Sequence, residues 1–294
     1  MTNYAHLAPQ ARAIVELPAD ERIAWCRSQS IWIKTAEASQ ILDDIGELLE
    51  TQNQTTYQCR ALLGAGGIGK TTLLRKACER YNTPDRQALL YIDLSSYGKF
   101  VDLQQIFVSN LGITDSAKKL FTTMDGPKIV SERLRDLGVK ITIFDEANAL
   151  ASATRYKNDN RNWLRGLPNS LYSQSVILGG TPDIKGFIFG DDHLCQRFGE
   201  WDLRSWEPKT VSFSKFIISF VRFLPLRECS FVDNESFMMK LYTYAGGTTR
   251  IIVRYLVDSA IFAILTNEER ITIDVLKASY EANIVIYAAS GMTI

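Results

Sequence analysis

Through the first two thirds of the chain, short runs of consecutive apolar residues alternate with longer stretches whose apolar residues recur every three or four positions. The apolar runs cover residues 59–63, 88–94, 139–144 and 176–181, and a short alternating stretch at 201–206 follows them. Continuous apolar runs are typical of strands covered on both faces, and the stretches between them predict helices. This alternation predicts an α/β fold, with a parallel sheet of five strands flanked by helices.

The two ends of the chain carry helical patterns. Near the N-terminus, the apolar stripe that contains Ile41, Ile45 and Leu48 predicts an amphipathic helix. Beyond Pro208, apolar residues at helical spacing predict an all-α region with helices at 213–224, 236–245, 250–265 and 272–287. We expect three parts, which are a helical segment (1–50) packed on a core, the core itself (51–208, with a polar loop at 51–56), and a small helical lid (209–294).

The loop after the first predicted strand reads Gly64-Ala65-Gly66-Gly67-Ile68-Gly69-Lys70-Thr71, which fits the phosphate-binding pattern G-x-x-x-x-G-K-[ST]. Glycines let backbone N–H groups curl around phosphate oxygens, and the following helix N-terminus adds donors and a favourable dipole. Lys70 would contact the β- and γ-phosphates, and the Thr71 hydroxyl would bind Mg²⁺. The predicted nucleotide-binding residues here are Gly64, Gly66, Gly67, Ile68, Gly69, Lys70, Thr71 and Thr72.

The third predicted strand ends in Asp145-Glu146, which is the Walker B arrangement. Asp145 would hold Mg²⁺ together with Thr71, because Mg²⁺ prefers oxygen ligands. Glu146 would polarise the attacking water, as a positioned general base does. The phosphate loop and this strand end together predict a protein that binds ATP with Mg²⁺ and hydrolyses it.

Composition and charge exclude some classes of protein and leave others open. The chain has 33 basic and 33 acidic side chains and a formal net charge of zero, so any surface for a polyanion must be a local patch. Five widely spaced cysteines without a CxxC pair, together with two histidines, predict a reduced cytoplasmic protein without a metal cluster. We expect no signal peptide, no membrane span and no membrane partner.

Two segments carry a local excess of basic residues that could contact a nucleic-acid backbone. The first contains Lys99, Lys118 and Lys119, and the second contains Arg155 and Lys157. Both segments also fit ordinary solvated surfaces, and the second could instead face a neighbouring subunit. The sequence leaves these alternatives open.

Over most of its length, the sequence resembles the TniB/TnsC family of AAA+ transposition regulators. The phosphate loop and the Walker B strand are unspecific by themselves, whereas the N-terminal Glu-Arg-Ile and Ile-Trp segments and a later Leu-Pro-Leu-Arg segment narrow the resemblance. Beside the phosphate loop, it is carried by Pro18-Ala19-Asp20-Glu21-Arg22-Ile23, Ile31-Trp32-Ile33, Ile143-Phe144-Asp145-Glu146-Ala147-Asn148, Gln196-Arg197-Phe198, Trp206, Phe223-Leu224-Pro225-Leu226-Arg227, Gly246-Gly247, Arg250 and Arg270-Ile271-Thr272.

The resemblance to AAA+ proteins implies further nucleotide contacts. Thr181 occupies the sensor 1 position after the fourth strand, and Arg250 occupies the sensor 2 position in the lid. Arg197, or alternatively Arg204, is implied to reach the nucleotide of the next subunit as an arginine finger. The alternatives are a plain turn at Thr181, a surface ion pair at Arg197 and an ordinary helix-end arginine at Arg250.

The family also implies a function. Its members form ATP-loaded homo-oligomers, as rings or helical filaments, on double-stranded DNA, recruit a DDE transposase and answer to a TniQ-like target selector. Such an ATPase would be slow and switch-like, and it would associate with the bacterial nucleoid when bound to DNA. The family occurs in CRISPR-associated and related transposons, and we expect this chain to belong with its compact members, which have no long extension like that of the larger TnsC members. STAND-type signalling ATPases and helicase loaders of the DnaC or IstB kind remain alternatives.

Overall fold

The computed structural model describes residues 4–28, 30–51, 58–153 and 155–289, and side chains as far as residue 282. Apart from Thr51, the predicted polar loop at 51–56 lies outside the described residues. The strands are β1 (Cys59–Gly64), β2 (Leu89–Asp93), β3 (Ile141–Asp145), β4 (Ser175–Gly180) and β5 (Phe198–Leu203).

The helices alternate with the strands in the middle of the chain and follow one another at its ends. They are α1 (Pro9–Arg12), α2 (Ala19–Ser28), α3 (Ala36–Glu50), α4 (Lys70–Tyr81), α5 (Leu103–Asn110), α6 (Ala117–Leu120), α7 (Gly126–Leu137), α8 (Asn148–Ser152), α9 (Lys157–Gly166), α10 (Lys185–Ile188), α11 (Asp192–Cys195), α12 (Val211–Val221), α13 (Glu235–Ala245), α14 (Thr249–Leu265) and α15 (Ile273–Ala289). Short 3₁₀ turns lie at Gly98–Phe100 and Pro182–Ile184.

The five strands form one parallel sheet in the order β2-β3-β4-β1-β5. Strand β4 pairs with β1 on one side, where Leu63 lies opposite Gly180, and with β3 on the other, where Phe144 lies opposite Leu178. The carboxyl ends of parallel strands share one edge, so the residues that follow β1, β3 and β4 meet there. The predicted parallel sheet of five strands with flanking helices is confirmed.

The central strands are covered on both faces, which explains their continuous apolar sequences. Every residue of β3 and β4 is buried. Thr142, a polar residue within β3, donates its hydroxyl proton to Oε1 of Gln174 at 3.2 Å. Strand β5 begins earlier than the alternating stretch at 201–206 predicted, because its pairing with β1 runs from Phe198 opposite Cys59 to Leu203 opposite Gly64.

The chain divides into two compact units. Residues 36–204 form the sheet unit, in which the Tyr81 hydroxyl of α4 donates to the Leu42 carbonyl of α3 at 2.6 Å. Residues 1–35 and 205–294 form the helical unit. Of the segment 1–50, α3 therefore belongs with the sheet, whereas α1 and α2 belong with the C-terminal helices.

The helical unit has its own apolar core. Helix α14 packs against α2, α13 and α15. Phe213, Phe216, Phe220 and Phe237 fill the space around it, and Cys26 of α2 joins the same cluster. No helix in the described part of the chain is both long enough and apolar enough to cross a membrane.

A buried ion pair fastens the N-terminal part of the helical unit to its C-terminal part. The Arg22 guanidinium makes two hydrogen bonds of 2.7 Å to the Glu269 carboxylate, and these side chains are only 3% and 7% exposed. Burial by itself raises the pKa of Glu269, but the hydrogen bonds from Arg22 and from the backbone N–H of Arg227 outweigh it, so the pKa lies below its usual 4.5.

We expect Arg22→Met to lower the free energy of unfolding by about 3–5 kcal/mol, because it leaves the Glu269 carboxylate buried without its main partner. Urea denaturation at neutral pH measures this loss. Since the folded pKa of Glu269 is lowered, the pair stabilises the protein above pH 4.5, and this contribution disappears as the pH falls through the folded pKa. The difference in the free energy of unfolding between wild type and variant should therefore become smaller in acid.

Lys209→Ala is the matched control. It removes an ion pair of 2.9 Å with Glu235, whose two side chains are 72% and 70% exposed, in the same unit. We expect this variant to stay within about 0.5 kcal/mol of wild type. Equal stabilities of the Arg22→Met and Lys209→Ala variants would contradict the role assigned to the buried pair.

Candidate nucleotide-binding site

The loop between β1 and α4 has the backbone that the phosphate-binding pattern predicts. Gly67 and Gly69 have φ values of 74° and 114°, in the left-handed region that favours glycine. At Gly64 a Cβ would lie 2.6 Å from the Leu203 carbonyl oxygen, so a larger residue would push the loop away from β5. Gly69 directly precedes α4, and the loop therefore ends on a helix N-terminus, where N–H groups lack partners within the helix.

The side chains of the loop are arranged around its own backbone. The buried Lys70 ammonium donates to the carbonyls of Gly64 at 2.8 Å and Ala65 at 3.0 Å, which holds it inside the curve of the loop. Ile68 is buried and anchors the loop, whereas Thr71 is half-buried and Thr72 exposed in the first turn of α4. A cation beside a helix N-terminus makes a site for an anion such as a phosphate chain.

Asp145 and Glu146 differ in environment although they are adjacent. Asp145 is the last residue of β3 and is 1% exposed, while Glu146 is exposed. Glu146 has a φ of 52°, a left-handed conformation that is uncommon for a non-glycine residue and is often found at functional sites. The Ala147 N–H donates to the Gly179 carbonyl at 2.8 Å, which fixes this turn on β4.

Gly179 is where the Asp145 carboxylate meets helix α4. A Cβ at Gly179 would lie 2.8 Å from both Oδ1 of Asp145 and Cδ1 of Leu74. Thr71 lies three residues before Leu74 and shares its face of the helix. The predicted metal ligands, Thr71 and Asp145, thus belong to elements that face each other, and their hydroxyl and carboxylate oxygens fit Mg²⁺.

The structure places two side chains at this edge whose roles the sequence did not reveal. The first is Tyr91 of β2, whose hydroxyl donates to Oδ2 of Asp145 at 2.7 Å. Burial raises the pKa of Tyr91 and the hydrogen bond to Asp145 raises it further, so the hydroxyl keeps its proton at neutral pH. Tyr91 lies 54 positions before Asp145, and no local motif links the two.

The second is Asn148, which holds Thr181 after the end of β4. Its Oδ1 accepts from the Thr181 N–H at 2.7 Å, and its amide also donates to the Thr181 hydroxyl. That hydroxyl donates in turn to Oδ2 of Asp183 at 3.0 Å. Thr181 therefore lies at the same sheet edge as Asp145 and Glu146 and also opens the 3₁₀ turn at Pro182–Ile184. In the sequence, the feature that could have indicated a role for Asn148 is its position two residues after Glu146.

The two candidate finger arginines lie at opposite ends of β5. Arg197 precedes the strand, and its carbonyl accepts from the Cys59 N–H at 3.1 Å, about 17 Å along β1 from the phosphate loop. Its guanidinium donates to the Arg165 carbonyl. Arg204 follows the last residue of β5, Leu203, which lies opposite Gly64. Its side chain is 80% exposed, and its Nε lies 3.4 Å from Oδ2 of Asp202.

Arg250 lies in the helical unit, exposed in the first turn of α14. The preceding turn is fastened to Trp206, whose N–H donates to the Gly247 carbonyl at 3.0 Å and whose indole donates to the Thr249 hydroxyl at 2.9 Å. Gly247 has a φ of 75°, and a Cβ there would lie 2.5 Å from the Trp206 carbonyl oxygen. This packing explains Gly247, whereas the left-handed φ of 59° at the end of α13 explains Gly246.

The structure brings the two predicted basic segments together. Lys99 lies exposed on the 3₁₀ turn at Gly98–Phe100. The buried Asn160 of α9 joins this turn to α9, since it donates to the Val101 carbonyl at 2.8 Å and accepts from the Leu103 N–H at 2.9 Å.

Lys157 begins that same helix α9, and the Arg155 guanidinium lies over the Tyr156 ring at 5.3 Å. The other lysines, Lys118 and Lys119, are exposed on α6, and Lys119 pairs with Asp115 at 2.8 Å.

Helix α6 belongs to the same region as α9. The Ala117 N–H donates to Gln105 Oε1 of α5 at 2.7 Å. Phe121, which follows α6, packs edge-on against Trp163 of α9 at 5.2 Å. The segments that carry the predicted basic residues are thus linked to one another through α5 and α9.

Comparison with known proteins identifies both the fold and the family. The sequence model described as "Bacterial TniB protein" matches residues 22–208. No curated protein matches the chain.

Several solved structures are similar. The ORC2 protein of Aeropyrum pernix aligns with 14% identity and a TM-score of 0.59, over 83% of this chain and 66% of that chain. Drosophila ORC bound to DNA aligns with 14% identity and a TM-score of 0.61, over 94% and 70% of the two chains. The Holliday junction branch migration motor RuvB of Thermotoga maritima aligns with 15% identity and a TM-score of 0.55, over 88% and 73%.

At such identities these structures establish the fold alone, which is that of the AAA+ P-loop ATPases, as the sequence resemblance implied. The matched family segment covers well over half of the chain, including the phosphate loop, Asp145, Glu146, Thr181 and Arg197. The chain therefore belongs to the TniB family.

Proposed function

We propose that this protein is a Mg²⁺-dependent ATPase that assembles on double-stranded DNA in its ATP-bound state and regulates transposition. The observation that carries the proposal is the meeting of the phosphate loop, Asp145, Glu146 and Thr181 at one edge of the sheet. The family supports the transposition role, in which a DDE transposase and a TniQ-like selector are the partners. Hydrolysis would be slow and act as a switch, in the bacterial cytoplasm and at the nucleoid.

The residues of the site have distinct tasks in this reaction. The loop N–H groups and Lys70 bind the triphosphate. Thr71 and Asp145 would hold Mg²⁺, which would supply positive charge to the phosphate oxygens. Glu146 is exposed on its turn at the sheet edge and accepts the proton of the attacking water. Thr181, which Asn148 holds at its N–H, contacts the γ-phosphate with its hydroxyl.

We further propose that Arg197 acts on the nucleotide of a neighbouring subunit and that Arg250 contacts the γ-phosphate. The distance of about 17 Å along β1 from the phosphate loop of its own chain supports a role for Arg197 in trans. Arg204 lies beside its own phosphate loop and is the alternative. Loss of the γ-phosphate removes these contacts together, so hydrolysis weakens the interface between subunits.

The basic residues around α5 and α9 are the proposed contact surface for the DNA backbone. Lys99, Lys118, Arg155 and Lys157 contact phosphates without reading bases. Because the chain has a formal net charge of zero, this binding depends on a local patch. Lys119 contributes less to DNA binding, because its ammonium is paired with the Asp115 carboxylate at 2.8 Å.

One observation favours a second candidate, a helicase loader that binds single strands. Phe100 is 80% exposed, and Tyr97 is also exposed, on either side of Lys99. Exposed aromatic rings on a basic surface suit the stacking of unpaired bases. Parallel binding measurements with single- and double-stranded DNA of the same sequence separate the two functions.

We expect Glu146→Gln to retain ATP binding and to lower the hydrolysis rate by about 10²–10⁴-fold, because the general base is lost while the phosphate contacts remain. Lys70→Ala should weaken ATP binding itself. Phosphate release and binding of a fluorescent ATP analogue measure the two effects. Glu79→Gln, on the exposed side of α4, is the matched control and should change neither. Full activity of Glu146→Gln would refute the assignment of the base.

We expect charge reversal in the patch to weaken DNA binding and to make it less sensitive to salt, while ATP binding persists. The two test variants are Lys99→Glu with Lys118→Glu and Lys119→Glu, and Arg155→Glu with Lys157→Glu. The slope of log K against log[salt] should fall by about 0.9 for each phosphate of duplex DNA that the variant no longer neutralises.

Lys128→Glu, an exposed position on α7 paired with Glu132 at 3.8 Å, is the control. Slopes that stay at the wild-type value in both test variants would show that the DNA binds elsewhere.

A further inference from the structure

Both oxygens of the Asp145 carboxylate are held by protein donors. Oδ1 accepts from the backbone N–H of Glu146 at 2.9 Å, and Oδ2 accepts from the Tyr91 hydroxyl at 2.7 Å. Asp145 is 1% exposed, and its Oδ1 lies 2.8 Å from the position that a Cβ at Gly179 would take. Its orientation is therefore fixed before any ligand arrives.

The sheet register explains how Tyr91 reaches this carboxylate. Tyr91 lies opposite Ile143, and Asp93 lies opposite Asp145, in the parallel pairing of β2 with β3. Alternate residues of a strand share one face, so Tyr91, Ile143 and Asp145 lie on the same side of the sheet. A diagonal neighbour two positions along is within reach of a tyrosine side chain.

Tyr91 is itself held from helix α4. The Arg75 guanidinium lies 5.7 Å from the centre of the Tyr91 ring, in a cation–π contact. Arg75 lies four residues after Thr71 and shares its helix face. A chain of contacts therefore runs from the helix that follows the phosphate loop through Arg75 and Tyr91 to Asp145.

We propose that Tyr91 is a positioning residue for the metal-binding carboxylate of Asp145 and that Arg75 fixes Tyr91 in turn. The inference rests on the proposed function, since it takes Asp145 as a Mg²⁺ ligand. Tyr91 donates one hydrogen bond to Oδ2 and leaves the remaining lone pairs of the carboxylate for the metal or its water. Hydrogen bonds to metal-ligating carboxylates orient them, and their loss typically costs 10–100-fold in metal affinity or activity.

The test compares Tyr91→Phe with Tyr81→Phe in the full chain. Each variant removes one tyrosine hydroxyl of the sheet unit. Tyr81 is the last residue of α4, at the end of the helix remote from the phosphate loop, and its hydroxyl donates to the Leu42 carbonyl. Binding of Mn²⁺ in the presence of a non-hydrolysable ATP analogue, followed by electron paramagnetic resonance, measures the metal directly. A fluorescent ATP analogue measures nucleotide binding with and without Mg²⁺, and thermal unfolding checks that each variant is folded.

We expect Tyr91→Phe to weaken Mn²⁺ binding about tenfold or more, to leave nucleotide binding without metal unchanged, and to lower kcat more than it raises KM for ATP. Arg75→Gln should shift Mn²⁺ binding in the same direction by less. Tyr81→Phe should leave Mn²⁺ binding at the wild-type value.

Two results would overturn the inference. One is wild-type Mn²⁺ affinity in Tyr91→Phe, and the other is an equal loss of nucleotide binding with and without metal, which would indicate a merely structural role. If Tyr91→Phe does not fold, wild-type Mn²⁺ affinity in folded Arg75→Gln overturns it as well. Wild-type protein that binds no ATP would instead refute the proposed function.

Discussion

The position of β4 between β1 and β3 is the constraint on which the candidate site depends. Backbone hydrogen bonds on both sides of β4 separate β1 from β3 by two strand spacings, or about 10 Å. The phosphate loop follows β1, and Asp145 and Glu146 end β3, so this spacing sets the gap between the phosphate-binding backbone and the carboxylates. A phosphate group with a hydrated cation fits a gap of that size, and the loop alone or the carboxylates alone would make no such site.

That gap stays open only because β4 carries no side chains where it ends. A Cβ at Gly179 would lie 2.8 Å from the Asp145 carboxylate, and a Cβ at Gly180 would lie 2.7 Å from Oδ1 of Asn148. Glycine within a strand weakens it and often marks a close approach of other groups. Here the approaching groups are the side chains of Asp145 and Asn148. The two glycines therefore weaken the strand but leave space for these side chains at the site.

The sequence predicts what is encoded locally and misses what is assembled from distant segments. The phosphate loop, the strand before it and the helix after it are adjacent in the chain, so their residue types identify them. The Tyr91–Asp145 and Arg22–Glu269 contacts span 54 and 247 positions, and only the fold brings these residues together. The same holds for α1 and α2, which join helices that begin about 200 residues later, since nothing in their own sequences specifies the helices that they pack against.

The ends of β5 constrain any assembly in which Arg197 acts in trans. Arg197 lies at the amino end of the strand, whereas the phosphate loop lies at the carboxyl end of the neighbouring β1. For Arg197 of one subunit to reach the nucleotide of the next, the amino edge of one sheet must approach the carboxyl edge of another. Two different surfaces then meet, and such a head-to-tail contact closes into a ring or continues as a helical filament rather than stopping at a symmetric dimer. A finger at Arg204 would place a different part of the surface at the interface, so identifying the arginine also identifies the face on which the subunits join.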